Sequence, residues 1–241
     1  MGLLKEHKIL QDLTDYPTQA YCNWKNLLEE QLENIEGKAC QNFIEGLSRI
    51  RDLIEDIPHI ATVSKFLETQ TGWQLFPVEG LLASEDYFNL LSHRYFPVAT
   101  FVRSGFDYTY SPVPDMWHDI FGHIPLLFDP CYSDFIKYLS SQYIARKDLQ
   151  EFVGRIYWYT IEAGVCAERG NCRIYGASQL SSIEEINYAL SSHPIVQPFD
   201  IDKVINSPVN IEKVQDQIFE IPALEYLKNI QHEFDHKFVK L

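Results

Sequence analysis

The stretch Ile156-Tyr157-Trp158-Tyr159-Thr160-Ile161-Glu162-Ala163-Gly164-Val165-Cys166-Ala167 decides the fold class. Its apolar and aromatic residues run all the way round a helical wheel, so it reads as a buried helix within a longer helical segment over 148–168. A helix without a polar face needs other elements packed around it. The chain supplies them. Trp24, Leu27, Leu28, Leu32 and Ile35 share one helical face, and Phe43, Ile44, Leu47 and Ile50 share another, with Gly37 between them as a C-cap. Further helices are expected over 84–91, opened by Ser84-Glu85-Asp86, and over 116–121, 132–145, 183–190 and 223–239. Residues 71–82 read as a short strand and a loop, 96–102 as a buried extended segment, and 171–175 as a strand. Pro112 and Pro114 force a loop over 108–114. No repeat, low-complexity tract or linker interrupts this order. The expected fold is predominantly α-helical, α+β with a few short strands, in a single domain over 1–241 whose first 20 residues are loosely ordered.

Composition narrows the function. Hydrophobic residues are 46% and charged residues 22% of the 241, which supplies a sizeable core. Aromatic residues reach 14%, enough for a bulky core and for an aromatic-lined pocket. The net charge of -14, with no Lys/Arg cluster, excludes a phosphate-backbone partner. Lys5, Glu6, His7 and Lys8 break the apolar run that a signal peptide needs. Gly2 follows Met1, but Glu6 stands where a myristoylation signal has Ser or Thr. No apolar run is long enough to span a bilayer. Five cysteines without a CxxC pair fit reduced thiols in the cytoplasm, and Cys166 and Cys172 read as small buried hydrophobes.

The chemistry centres on Pro114-Asp115-Met116-Trp117-His118-Asp119-Ile120-Phe121-Gly122-His123. Pro114 and Asp115 open a helix and place His118 in its first turn. His123 lies five residues on, about 140° round a straight α-helix, so the two imidazoles would diverge. A helix stop at Gly122 is the expected device for turning His123 back toward His118. Glu162 is the one acid of the buried segment, and no Lys or Arg sits one turn away. A bare buried carboxylate costs several kcal/mol or takes up a proton, so it needs a cation. Two histidines and one carboxylate on one face of an ion are the facial triad of non-haem iron(II) oxygenases, with open positions for dioxygen and a reductant. The same ligands would also accept cobalt, zinc or manganese. The competing explanation is structural, since any single His in such a segment is more often a core residue than a ligand.

These residues resemble the pterin-dependent aromatic amino-acid hydroxylases, in particular the compact bacterial phenylalanine hydroxylases. The resemblance covers about 24–219, with its strongest blocks from Thr71-Gly72-Trp73 to Gly80-Leu81, from Pro114 to Leu127, from Tyr157 to Glu162, and from Tyr175-Gly176-Ala177 to Leu180-Ser181-Ser182. It implies iron(II) held by His118, His123 and Glu162, with tetrahydropterin and dioxygen as co-substrates. It implies that Arg103 grips the substrate carboxylate, a task for a bidentate fork, while Asp115 holds that Arg in place. Trp158 would wall the ring pocket, and Ser111, Gly176, Ser178, Ser181 and Ser182 would complete the amino-acid site. Gly80, Leu81, Leu82, Ser84 and Asp119 would line the pterin site, with Tyr87 stacked on the pterin ring. The expected reaction is hydroxylation of phenylalanine to tyrosine; alternatives are tryptophan or tyrosine as substrate, or a non-catalytic relative that binds amino acid or pterin.

Several positions depart from the family. Tyr87 stands where Phe is common, Asp119 where animal enzymes have Glu, Ser111 where they have Thr, and Ser178-Gln179 replaces a small-apolar pair. Glu220 stands where phenylalanine hydroxylases usually have Val, and an acid there could accept a hydrogen bond from a hydroxylated or indole substrate. These departures bear on substrate choice. The animal enzymes also carry a regulatory domain and a tetramerisation helix; neither is expected here, and a monomer is. A rival motif, His232-Glu233-Phe234-Asp235-His236, matches the H-E-x-x-H of zinc peptidases. Lys237 and Lys240 flank it, and a solvated helix face is the better reading.

Overall fold

The apolar stripe around Trp24 forms helix α1, Thr18–Asn34, which buries Trp24, Leu27 and Leu28. After Gly37 comes α2, Gln41–Ile50, burying Phe43, Leu47 and Ile50. The computed structural model describes residues 9–103, 113–209 and 215–239. Trp24 meets Trp117 edge-on at 5.3 Å, and Phe43 meets Phe121 at 5.8 Å, so both helices wall the segment that carries His118. The Trp24 indole N–H is satisfied by Ile54 O at 2.9 Å. A fully buried ring of this kind contributes about 3–5 kcal/mol by the cost of its truncation.

Ile60–Thr71 forms α3, and two parallel strands follow. These are β1, Gln74–Val78, and β2, Tyr95–Ala99, joined by α4, Ser84–Ser92. Parallel neighbours need such a crossover. Ser84 does not cap α4 as expected. Ala83 is the N-cap and makes no side-chain bond, so Glu85 and Asp86 open the helix through the dipole alone.

The chain next enters a helix at Met116 and widens into a π turn over His118–His123. A tight turn over Ile124–Phe128 and α5, Pro130–Ala145, follow. Helix α6, Gln150–Tyr157, runs straight into a second π turn, Trp158–Glu162. The single helix expected over 148–168 therefore ends at Glu162. Val165–Glu168 is instead strand β3, because it pairs antiparallel with β4, Asn171–Ile174. Tertiary pairing of Val165 with Ile174 overrides a helical pattern.

Two short helices, α7 over Ala177–Leu180 and α8 over Ile183–Ala189, lead to β5, Ile195–Pro198, and α9, Ile201–Asn206. Strand β6, Gln217–Ile221, completes a four-stranded sheet of order β4-β3-β6-β5. The chain closes with α10, Leu227–Phe234, and a π turn over Asp235–Val239. One main core runs through the helices and this sheet, with Phe76, Val78 and Leu90 in a small cluster beside it. The first 20 residues, expected to be loose, are tied down from Ile9 onward. Ile9 N–H donates to Pro77 O at 3.3 Å, and the Gln11 amide bridges Pro58 O and Ile60 N–H. Backbone groups that would otherwise lack partners hold that segment in place.

Candidate active site

The first two π turns carry the candidate ligand side chains. In the second, Ala163 N–H donates to Trp158 O at 2.9 Å, the i to i+5 bond of a π turn. The extra residue per turn brings positions five apart to nearly the same side. His118 and His123 bound the first π turn, so they converge without leaving the helical path. Gly122 is therefore not the helix stop that the sequence suggests. Its missing side chain serves a close approach, since a Cβ there would lie 2.8 Å from Ala177 O. Gly176 makes the matching approach on the other side. A Cβ would meet Gly164 N at 2.4 Å and Glu162 O at 2.5 Å, so α7 sits directly on the backbone of the second turn.

The result is a triangle of ligand atoms. His118 Nε2 lies 3.2 Å from His123 Nε2 and 3.6 Å from Glu162 Oε2, and His123 Nε2 lies 3.3 Å from Glu162 Oε1. Ligand atoms about 2.1 Å from one ion and at right angles to one another stand about 3 Å apart. The two imidazole nitrogens have that separation and each has one carboxylate oxygen of Glu162 close by, so the three groups can share one ion. Among the described residues this is the one group of three such ligands close enough for a shared ion. The orientation of His118 follows from its neighbour. Ser181 Oγ spends its proton on the Ala177 and Ser178 carbonyls, so it accepts from His118 Nδ1 at 3.0 Å and leaves the Nε2 lone pair toward the triangle. His123 is 1% exposed, and its Nδ1 has no partner among the described residues. Among the described residues, the polar neighbours of its Nε2 are the other two candidate ligands, so a metal there would be shared by all three.

Charge agrees with this. Burial lowers the His118 imidazole to about 4, against the pull of Glu162, so it is neutral at neutral pH. Burial pushes the Glu162 carboxyl up, but His123, His118 and the Ser178 hydroxyl together hold it down to about 2. With Glu162 ionised beside two imidazoles, the three groups are the nitrogen and oxygen donor set that a divalent cation takes.

Polar residues surround the triangle. Arg103 Nε and Nη2 bond Asp115 Oδ2 and Oδ1 at 2.9 and 2.7 Å, and Asp115 also accepts the His118 backbone N–H at 3.2 Å. Asp115 is fully buried and thus ties the guanidinium to the first π turn. Ser178 Oγ donates to Glu162 Oε2 at 3.3 Å, and Ser182 caps α8 by accepting the Glu185 N–H. Trp158 opens the second π turn, with its indole N–H buried and without a partner among the described residues.

On the far side, Leu81 and Ser84 are exposed, Leu82 packs on the small cluster, and a Cβ on Gly80 would meet only Phe101. Tyr87 is partly exposed beside this loop, which leaves ring surface for a planar ligand. Asp119 accepts the Ala99 N–H at 2.8 Å, and burial holds its carboxyl well above the usual range. Ser111 lies outside the described residues. Glu220 sits in β6, paired with Val165 of β3 and Pro198 of β5, and burial together with its charge pushes the Cys172 thiol up to about 12.

The family model for biopterin-dependent aromatic amino acid hydroxylases matches residues 5–240. The chain belongs to this family. The hydroxylase is 36% identical over 219 residues to phenylalanine-4-hydroxylase of Pseudomonas aeruginosa, covering 90% of this chain and 84% of that one. It is 33% identical to the Vibrio cholerae enzyme, over 88% and 74% of the two chains. The iron- and phenylalanine-bound crystal structure of phenylalanine hydroxylase from Chromobacterium violaceum superposes with a TM-score of 0.89 at 30% identity, over 98% of the hydroxylase and 88% of that chain. The structure of that enzyme with oxidised Fe(III) gives 0.91 at the same identity. No helix among the described residues of the hydroxylase is long and apolar enough to cross a membrane.

Two residues escaped the sequence reading. Tyr157 bonds Tyr87 hydroxyl to hydroxyl at 2.8 Å. It stands five before Glu162, the step that also separates His118 from His123, and that repeated interval was the available signal. Glu185 is driven up to about 7 by burial and then by the charge of Glu162. Its sequence pattern suggested only a helix start.

Proposed function

We propose that this chain hydroxylates the ring of phenylalanine to give tyrosine, with iron(II) held by His118, His123 and Glu162. The observation that carries the reading is the convergence of His118 Nε2, His123 Nε2 and the Glu162 carboxylate, with contacts of 3.2, 3.3 and 3.6 Å, beside the Arg103–Asp115 pair. Iron and a tetrahydropterin together would supply the activation of dioxygen. The chain's own residues do the rest. Arg103 receives the amino-acid carboxylate, and Asp115 keeps the guanidinium oriented. Trp158 walls the aromatic ring, while Ser178 and Ser181 keep Glu162 and His118 aimed at the ion. The Gly80–Ser84 loop and the Tyr87 ring receive the pterin. Holding the ring beside the metal is a proximity contribution, and the apolar wall excludes water. Phenylalanine is favoured as the substrate by the likeness to bacterial phenylalanine-4-hydroxylases. The net charge of -14 supports a monomer, and the lack of a membrane-spanning helix among the described residues supports a cytoplasmic location.

The test is anaerobic reconstitution with iron(II), followed by tetrahydropterin, oxygen and phenylalanine, tyrosine or tryptophan in separate reactions. Tyrosine formed from phenylalanine, coupled to pterin oxidation, is the expected result. Product from tryptophan or tyrosine alone would reassign the substrate. No product from a folded, iron-loaded sample would leave a binding role.

A further inference from the structure

Tyr87 reaches each metal-bearing turn through one intermediate residue. Through its hydroxyl it reaches Tyr157, the last residue of α6 before the turn that ends at Glu162. Through its ring it meets Phe96 edge-on at 6.4 Å, and Phe96 lies 4.8 Å from the His123 ring. Phe88 supports the arrangement from beneath, stacked on Tyr143 at 4.1 Å and edge-on to Tyr157 at 5.3 Å. A phenylalanine at position 87 could make every ring contact in this set. Only the hydroxyl requires tyrosine, and its hydrogen-bond partner among the described residues is Tyr157.

We propose that the Tyr87–Tyr157 hydroxyl pair is a positioning strut that holds the pterin-stacking ring in register with the metal ligands. The inference rests on the proposed function, since it takes Tyr87 as the pterin platform. The physical reason is geometric. Tyr87 belongs to α4, which follows the pterin loop, whereas Tyr157 belongs to the helix of Glu162. A bond of 2.8 Å between the two hydroxyls, with rings crossed at 88°, fixes the distance and tilt of one element against the other. Packing alone would let the α4 ring rock about its edge contacts. Burial keeps both phenols well above their ordinary range, so the pair stays neutral and one proton is always shared between them. One hydroxyl donates and the other accepts. The accepting hydroxyl keeps a proton that it can offer to a ligand between platform and metal.

The test uses Tyr87→Phe, Tyr157→Phe and the double variant in the full chain, loaded with iron(II). Each single change is expected to weaken binding of a 7,8-dihydropterin, read by fluorescence quenching, by roughly three- to tenfold, the worth of one buried neutral hydrogen bond. Phenylalanine KM should move less than twofold, and tyrosine formed per pterin oxidised should fall. The double variant should lose no more than the worse single variant, because the two groups act through one bond. Thermal melts check that all three fold. Additive losses in the double variant, or equal loss of pterin and phenylalanine affinity, would overturn the strut. So would single variants with unchanged pterin affinity and unchanged coupling. Wild-type protein that fails to oxidise pterin at all would instead overturn the proposed function on which the strut depends.

Discussion

His118 with His123 and His232 with His236 are two histidine pairs on helical segments, and only one of them is built to hold an ion. The second pair has the better motif on paper, since H-E-x-x-H places its imidazoles one α-helical turn apart. In the structure both of its histidines are exposed. Glu233 accepts from Tyr226 Oη at 3.0 Å, and Asp235 accepts from Tyr138 Oη at 2.5 Å, so the acids of that motif pin the C-terminal helix to its neighbours. The first pair has the wrong spacing for an α-helix, and a π turn corrects it. The lesson is that spacing selects ligands only together with the turn that carries it and the burial that leaves a donor without other partners.

The largest expected effect breaks this asymmetry at the third ligand. Glu162→Ala should lose far more than the roughly 10–100-fold in metal affinity that an outer partner costs, and nearly all activity. His232→Ala with His236→Ala should leave metal content, measured by elemental analysis, unchanged. Loss of the metal from that double variant would invert the comparison. A second contrast sets the acids against each other. Asp115→Ala removes the partner of a buried guanidinium and should cost about 3–5 kcal/mol in urea unfolding, whereas Glu233→Ala should cost about 1 kcal/mol or less.

The pH dependence of the metal-free protein comes next. The folded His118 imidazole is depressed to about 4, below its unfolded value near 6.5, so the unfolded chain takes up the proton first as pH falls. Stability is full above about pH 6.5 and falls on the order of 3 kcal/mol between there and about pH 4. Denaturation at pH 7 and pH 5 measures it, and a flat profile would mean that His118 is solvated. A smaller effect at the site itself is Gly122→Ala. Its Cβ would press on Ala177 O, which accepts both the N–H and the hydroxyl of Ser181. A cost of about 1–3 kcal/mol is expected, with weaker metal binding because Ser181 shifts off His118.

Much of the helical frame was legible from periodicity. Trp24, Leu27 and Leu28 lie on the buried face of α1, and Phe43, Leu47 and Ile50 on that of α2, because an apolar stripe every three or four residues has one way to hide. Of the four-stranded sheet, β4 alone was legible, as the strand expected over 171–175. Val165–Glu168 continues the apolar run of the helix before it, and only its partners in β4 and β6 make it a strand. Strands β5 and β6 carry no sequence alternation strong enough to announce them, since Ile195 and Val196 are exposed at an edge. Within the candidate site, the ligand types were readable as two histidines and an acid lacking a local cation. The roles assigned to the serines near α7 came from family resemblance, and their bonds to His118 and Glu162 needed coordinates.

The sequence by itself determined which side chains had to be buried and which buried acid needed a cation, because hydrophobic period and charge isolation are local properties of the chain. The tertiary structure alone decided that His118 and His123 converge and that Tyr87 is tied to Tyr157. Each of these depends on where separate elements come to rest against one another. A π turn in place of an α turn is a choice between bonding patterns only about one residue apart, and packing against α7 and β2, not propensity, selects between them.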